Sequence, residues 1–146
     1  IHCQGGQKMC EAAMDAAEQA ASGGKRPYIF GVTALTSFGP CEMPGISLMP
    51  TDFALELARS ADQWGLDGVV CSPLEASIVK EACGNDFMTV TPGIRFADSA
   101  AGDQKRIMTP EKAGKSGCDY IVVGRPITQA EDPVAAYRRA VKDFWG

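Results

Sequence analysis

The 146-residue sequence has no run approaching the roughly 18 consecutive apolar residues that cross a bilayer as a helix. Its amino end shows neither the charged nor the apolar region of a secretory signal, so a cytoplasmic location is expected. Histidine occurs once, at His2, and none of the six cysteines stands in a CxxC pair, which disfavours both a zinc centre and a disulfide framework. Concentrated positive charge is also missing. Fourteen Lys and Arg stand against eighteen Asp and Glu, a net charge of -4, and the basic residues are scattered. That excludes the basic stripe of a nucleic-acid binder. No metal, membrane or nucleic-acid partner is expected.

What remains is the composition of an ordinary globular domain, 45% hydrophobic and 22% charged. Met9, Ala12, Ala13, Ala16, Ala17 and Ala20 recur at helical spacing before Gly23-Gly24, predicting a helix closely packed by alanine. Pro27 to Thr33 reads as a short buried strand. After a Gly/Pro-rich connection, Ala54, Leu57, Ala58 and Ala61 mark a second helix. Gly65 to Cys71 is a glycine break and strand, and Ser72-Pro73-Leu74-Glu75 has the form of a capping box, with Ser72 as N-cap of a helix ending at Cys83. Phe87 to Thr91 is the next strand. A helix from Thr109-Pro110, a strand from Tyr120 to Val123, and a helix after Asp132-Pro133 carrying Val134, Tyr137, Val141 and Phe144 complete the string.

Strands alternating with helices imply a parallel sheet covered by helices. Gly65-x-Asp67 before one strand recurs 52 residues later as Gly117-x-Asp119 before another, a spacing of two βα units. Repeated equivalent units suggest a (β/α)8 TIM barrel, usually about 250 residues, of which residues 1–146 would be the C-terminal portion of a single domain, from about the end of strand four through helix eight. Roughly three N-terminal units would then be missing. A doubly wound open sheet gives the same string and is the alternative. It calls for a glycine-rich phosphate turn, for which Gln4-Gly5-Gly6 is a poor match.

Barrels bind ligands at the carboxyl ends of their strands, often holding phosphate on the last two loops. Here these loops are Arg95 to Met108 and Val123-Gly124-Arg125-Pro126. A backbone N–H at Gly124 is open to an anion, and the Arg125 guanidinium can form two parallel bonds to phosphate oxygens. The plainer reading is a strand-end glycine beside a surface arginine. The long polar loop resembles a lid, and the amide of Gln104 within it can donate to a phosphate and accept from a base. Asp67 and Asp119 precede their strands and read as structural turn residues.

Val32-Thr33-Ala34-Leu35-Thr36-Ser37, Leu66 to Ser72, Thr91-Pro92-Gly93-Ile94-Arg95, Gly102-Asp103-Gln104-Lys105-Arg106 and Val123-Gly124-Arg125-Pro126-Ile127-Thr128 resemble, in order, the strand-end motifs of bacterial-type orotidine 5'-monophosphate decarboxylase. The resemblance implies a cofactor-free decarboxylation of orotidine 5'-monophosphate to UMP in pyrimidine biosynthesis by a homodimer. It implies that Gly124, Arg125 and Gln104 hold the phosphate, that Arg95 contacts substrate, and that Thr36, with Ser37 beside it, lies at the pyrimidine end. His2 to Gly6 resembles the end of strand four, with Cys3 and Gln4 departing from the usual Ala-Ser, and no chemistry is assigned to His2.

In that family the chemistry belongs to an Asp-x-Lys-x-x-Asp motif, which does not occur in these residues. Asp103-Gln104-Lys105 begins with the right spacing, but Met108 stands where the second aspartate would be. The catalytic lysine and aspartates are therefore expected upstream, and the 146 residues alone are expected to be inactive. The rivals are another phosphate-binding barrel such as a hexulose-phosphate synthase, and a noncatalytic phosphate-binding remnant.

Overall fold

The computed structural model describes residues 1–40, 42–43, 45–98 and 106–146. After a 3-10 turn at Cys3–Gly5 come α1 (Gln7–Ala21), β1 (Phe30–Val32), α2 (Pro50–Gln63), β2 (Gly68–Val70), α3 (Ala76–Cys83), β3 (Met88–Thr91), α4 (Pro110–Lys115), β4 (Tyr120–Ile121), α5 (Arg125–Thr128) and α6 (Pro133–Trp145). The sheet is parallel throughout and runs β1-β2-β3-β4. A parallel bridge from His2 to Val32 places the amino end beside β1, so spatial order follows chain order without reversal. A doubly wound sheet reverses at its switch point. Unbroken succession is the arrangement of a barrel, and the chain is a partial one.

The strands read as short apolar runs because helices cover one face and the interior of the curved sheet the other. The largest core cluster joins Cys3, Cys10, Ala58, Ala61, Leu66, Val69, Cys71, Val79 and Phe87 between α1, α2, α3 and the sheet. Cys71 and Cys118 are buried and Cys83 is half-buried. Burial pushes the Cys71 thiol up to about 12.

The short helix α5 was not expected, and two of the expected helices differ in form. In α1 the buried residues are Cys10 and Ala17, with Met14 packed against the same cluster, and much of the alanine stripe faces outward. Alanine offers little apolar area, so the larger Cys10 and Met14 set the buried face. The third helix keeps its stop at Cys83 but starts at Ala76. Glu75 turns back to accept from the Ser72 amide at 2.9 Å, while Ser72 Oγ accepts from the Leu74 amide at 3.3 Å, so residues 73–75 form a tight turn before the helix.

The sequence echo corresponds to a structural one. Gly65 and Gly117 have φ of 80° and 79°, a left-handed conformation that glycine adopts without the penalty of a Cβ. Each turn delivers an aspartate to the preceding strand. Asp67 accepts from the Ile29 amide at 2.7 Å and from both terminal nitrogens of Arg26 at 2.7 and 2.8 Å. Asp119 accepts from the Thr89 amide and from Lys80, each at 2.7 Å. These carboxylates brace the amino ends of the strands, as expected of structural residues.

Candidate functional site

Four segments leave the carboxyl ends of the strands close together: Thr33 to Ser37 after β1, Cys71 to Glu75 after β2, Pro92 to Arg95 after β3, and Gly124-Arg125 after β4. The β3 segment is stitched to the far end of its own loop, because the Arg95 amide donates to Met108 at 3.0 Å and the Met108 amide donates to Gly93 at 3.2 Å. Gly93 has φ of 83°, and a Cβ there would lie 2.8 Å from the Arg106 carbonyl oxygen. Only glycine allows this crossing.

Arg95 and Arg125 line one cleft of about 610 Å³, together with Phe96, Asp98, Gln129 and Arg139. That volume lies in the range of small-molecule sites. Arg95 is buried, and its Nη1 donates to the Ile94 carbonyl at 2.7 Å, which holds the head group in the wall. Arg125 is exposed at the first position of α5. Beside it, space is open around the position where Gly124 would carry a Cβ, and the Gly124 carbonyl closes the first turn of α5 by accepting from Ile127 and Thr128.

Thr36 is buried in a neighbouring cavity of about 140 Å³, with Leu35, Ser37, Cys71 and Pro92 also in its wall. Pro92 of this wall and Arg95 of the first cleft are three residues apart in one segment, and between them the missing Cβ of Gly93 would stand 3.7 Å from Thr36 Cβ. The structure therefore joins Arg95 to Arg125 and seats Thr36 next door. Gln104 lies outside the described residues.

Sequence reasoning missed two features. Arg139 of α6 also lines the cleft, with its guanidinium 4.2 Å from the Phe96 ring centroid and 3.0 Å from Asp98. Arg106, in the polar loop, is buried and paired with Glu75. The capping pattern had identified Glu75, but nothing local announced its partner 31 residues on. Among the described residues no group of three or more His, Cys, Asp or Glu could hold a metal ion, and no helix is long and apolar enough to cross a membrane.

Parallel βα units in unbroken succession, with two arginines converging beyond the last two strands, define a βα-barrel protein with an anion-suited cleft at its carboxyl face. A family model described as Orotidine 5'-phosphate decarboxylase / HUMPS family matches residues 1–140, and the chain belongs to that family. It is 49% identical over 146 residues to the orotidine 5'-phosphate decarboxylase of Nitratidesulfovibrio vulgaris, covering 99% of this chain and 62% of that protein. Similarity to the enzyme of Listeria monocytogenes is 48% over 147 residues, covering 99% of this chain and 63% of that protein. The chain thus spans a little over three-fifths of the length of these curated relatives. A crystal structure of orotidine 5'-phosphate decarboxylase from Lactobacillus acidophilus superposes with a TM-score of 0.83 at 39% identity, covering 100% of this chain and 62% of that one.

Proposed function

We propose that these residues form the phosphate- and pyrimidine-binding part of an enzyme that decarboxylates orotidine 5'-monophosphate to UMP. The convergence of Arg95 and Arg125 on one cleft, with Thr36 in the adjoining cavity, carries this reading. Arg125 and the backbone at Gly124 take the phosphate, Arg95 contacts the ligand from the wall, Gln104 reaches the phosphate from the loop, and Thr36 meets the pyrimidine. The named relatives support the choice of reaction over a sugar-phosphate one within the same family.

The division of labour follows from where the binding energy is used. Holding a phosphate remote from the scissile bond orients the base and excludes water, which raises the rate without touching that bond. The bond-breaking charges belong to an Asp-x-Lys-x-x-Asp motif supplied by a longer polypeptide, cytoplasmic and homodimeric, in which residues 1–146 are the C-terminal portion of one barrel domain. No cofactor takes part.

Assaying the polypeptide that the gene encodes with orotidine 5'-monophosphate and with a sugar phosphate tests the reading. Decarboxylation of the nucleotide is expected, together with UMP binding but no turnover by residues 1–146 alone. Activity confined to the sugar phosphate would overturn it.

A further inference from the structure

Arg106 is a buried cation at the carboxyl face, and none of the roles above uses it. Its Nη1 pairs with Glu75, whose side chain is fully buried, and its Nη2 donates to the Ala34 and Leu35 carbonyls at 3.0 Å each. Its amide donates to the Thr36 carbonyl at 3.4 Å, and its own carbonyl lies against Gly93. Its Nε finds no partner among the described residues. One side chain thus ties together the segments after β1, β2 and β3. Ala34 and Leu35 present their carbonyls to the guanidinium, and Thr36, the next residue, presents its carbonyl to the backbone amide of the same arginine. Glu75 is itself fixed by the Ser72 amide at 2.9 Å, so the counter-charge cannot drift.

We infer that Arg106, held by Glu75, is a positioning residue for the pyrimidine end of the ligand site: its forked guanidinium sets the height at which Thr36 stands beside Gly93 and Arg95. The inference rests on the proposed nucleotide site and deepens it. A buried ion pair serving stability alone needs neither the fork to consecutive carbonyls nor the amide contact to Thr36. The planar guanidinium suits this task because it can reach Glu75 and two carbonyls at once, which an ammonium on a flexible stem does less well. The contacts given for Arg106 run to the segments after β1, β2 and β3, whereas Gly124 and Arg125 follow β4, so a change at Arg106 should reach the pyrimidine end first.

The test uses the full chain as the gene encodes it and two probes, UMP and inorganic phosphate, with calorimetric Kd values measured well below the melting temperature. Arg106→Lys keeps a cation against Glu75 but loses the fork, and is expected to weaken UMP about tenfold while leaving phosphate within about twofold. Glu75→Gln should act in the same direction. Thr36→Ala combined with Arg106→Lys should lose no more UMP affinity than the worse single variant, since both changes strike one contact. Equal weakening of both probes, unchanged UMP affinity, or an additive double variant would overturn the inference. An unsubstituted chain that binds phosphate but not UMP would overturn the proposed function, and the inference with it.

Discussion

At the scale of single residues, the two cleft arginines differ in what they can give up. Arg95 is buried, with Nη1 already donating to the Ile94 carbonyl, whereas Arg125 stands exposed at the start of α5. Replacing Arg125 by Ala should therefore cost ligand affinity with little change in melting temperature. A charge-assisted phosphate bond contributes about 2 kcal/mol, so UMP should bind roughly thirtyfold more weakly by calorimetry. Retention of full affinity would remove Arg125 from the site. The bracing carboxylates give a different kind of prediction. Burial opposes the charged form of Asp67, but the Arg26 fork and the Ile29 amide outweigh it and hold its carboxyl below the usual range. Asp119 is lowered in the same way by Lys80 and Thr89. A depressed carboxylate contributes stability above its unfolded value of about 3.9 and loses it as pH falls through the lower folded value. Thermal melting should thus fall steeply below about pH 4. Asp67→Asn should flatten that fall and cost about 1–2 kcal/mol near neutrality, a modest figure because the Arg26 fork is partly open to solvent.

Among the elements, α6 shows most clearly where local rules hold and where they stop. Its start was legible: Asp132 accepts from the Ala135 amide at 3.0 Å, with Pro133 opening the helix. Asp132→Ala should cost about 1 kcal/mol, read as a lower melting temperature without loss of ligand binding. Its apolar stripe was read correctly as a pattern but not as a burial. Val134 and Tyr137 are each 59% exposed, and Ala140 is the buried residue of the helix. Periodicity marks a face that wants cover, and only the neighbouring elements determine whether cover arrives. The third helix teaches the complementary lesson, since the Ser-x-x-Glu pattern was genuine but Glu75 also answers to Arg106, and the shared carboxylate makes a tight turn of what would have been the first helical residues.

For the whole molecule, the feature with the largest physical consequence is the flank of β4. Tyr120 and Val122 are exposed, and with Tyr137, Val141 and Trp145 of α6 they line an apolar cleft of about 490 Å³. Among the described residues β4 pairs only with β3, leaving its other edge open. An unpaired edge beside apolar side chains favours association. Residues 1–146 alone should sediment as concentration-dependent oligomers, and Val141→Glu should shift them towards monomer. A monomer at all concentrations would contradict this.

The amino-acid sequence by itself determined the alternation of strands and long helices, most of their starts and stops, the repeated Gly-x-Asp turn, and the candidates Thr36, Arg95, Gly124 and Arg125, but not the short helix α5. Each of these is written in neighbouring residues as a period, a breaker or a motif. Only the tertiary structure decided which groups meet: Arg26 with Asp67 across 41 positions, Arg106 with Glu75 across 31, and Arg139 with the cleft. Such pairings leave no periodic trace, because a hydrogen bond depends on distance and direction in space, while the chain between the partners is free to vary.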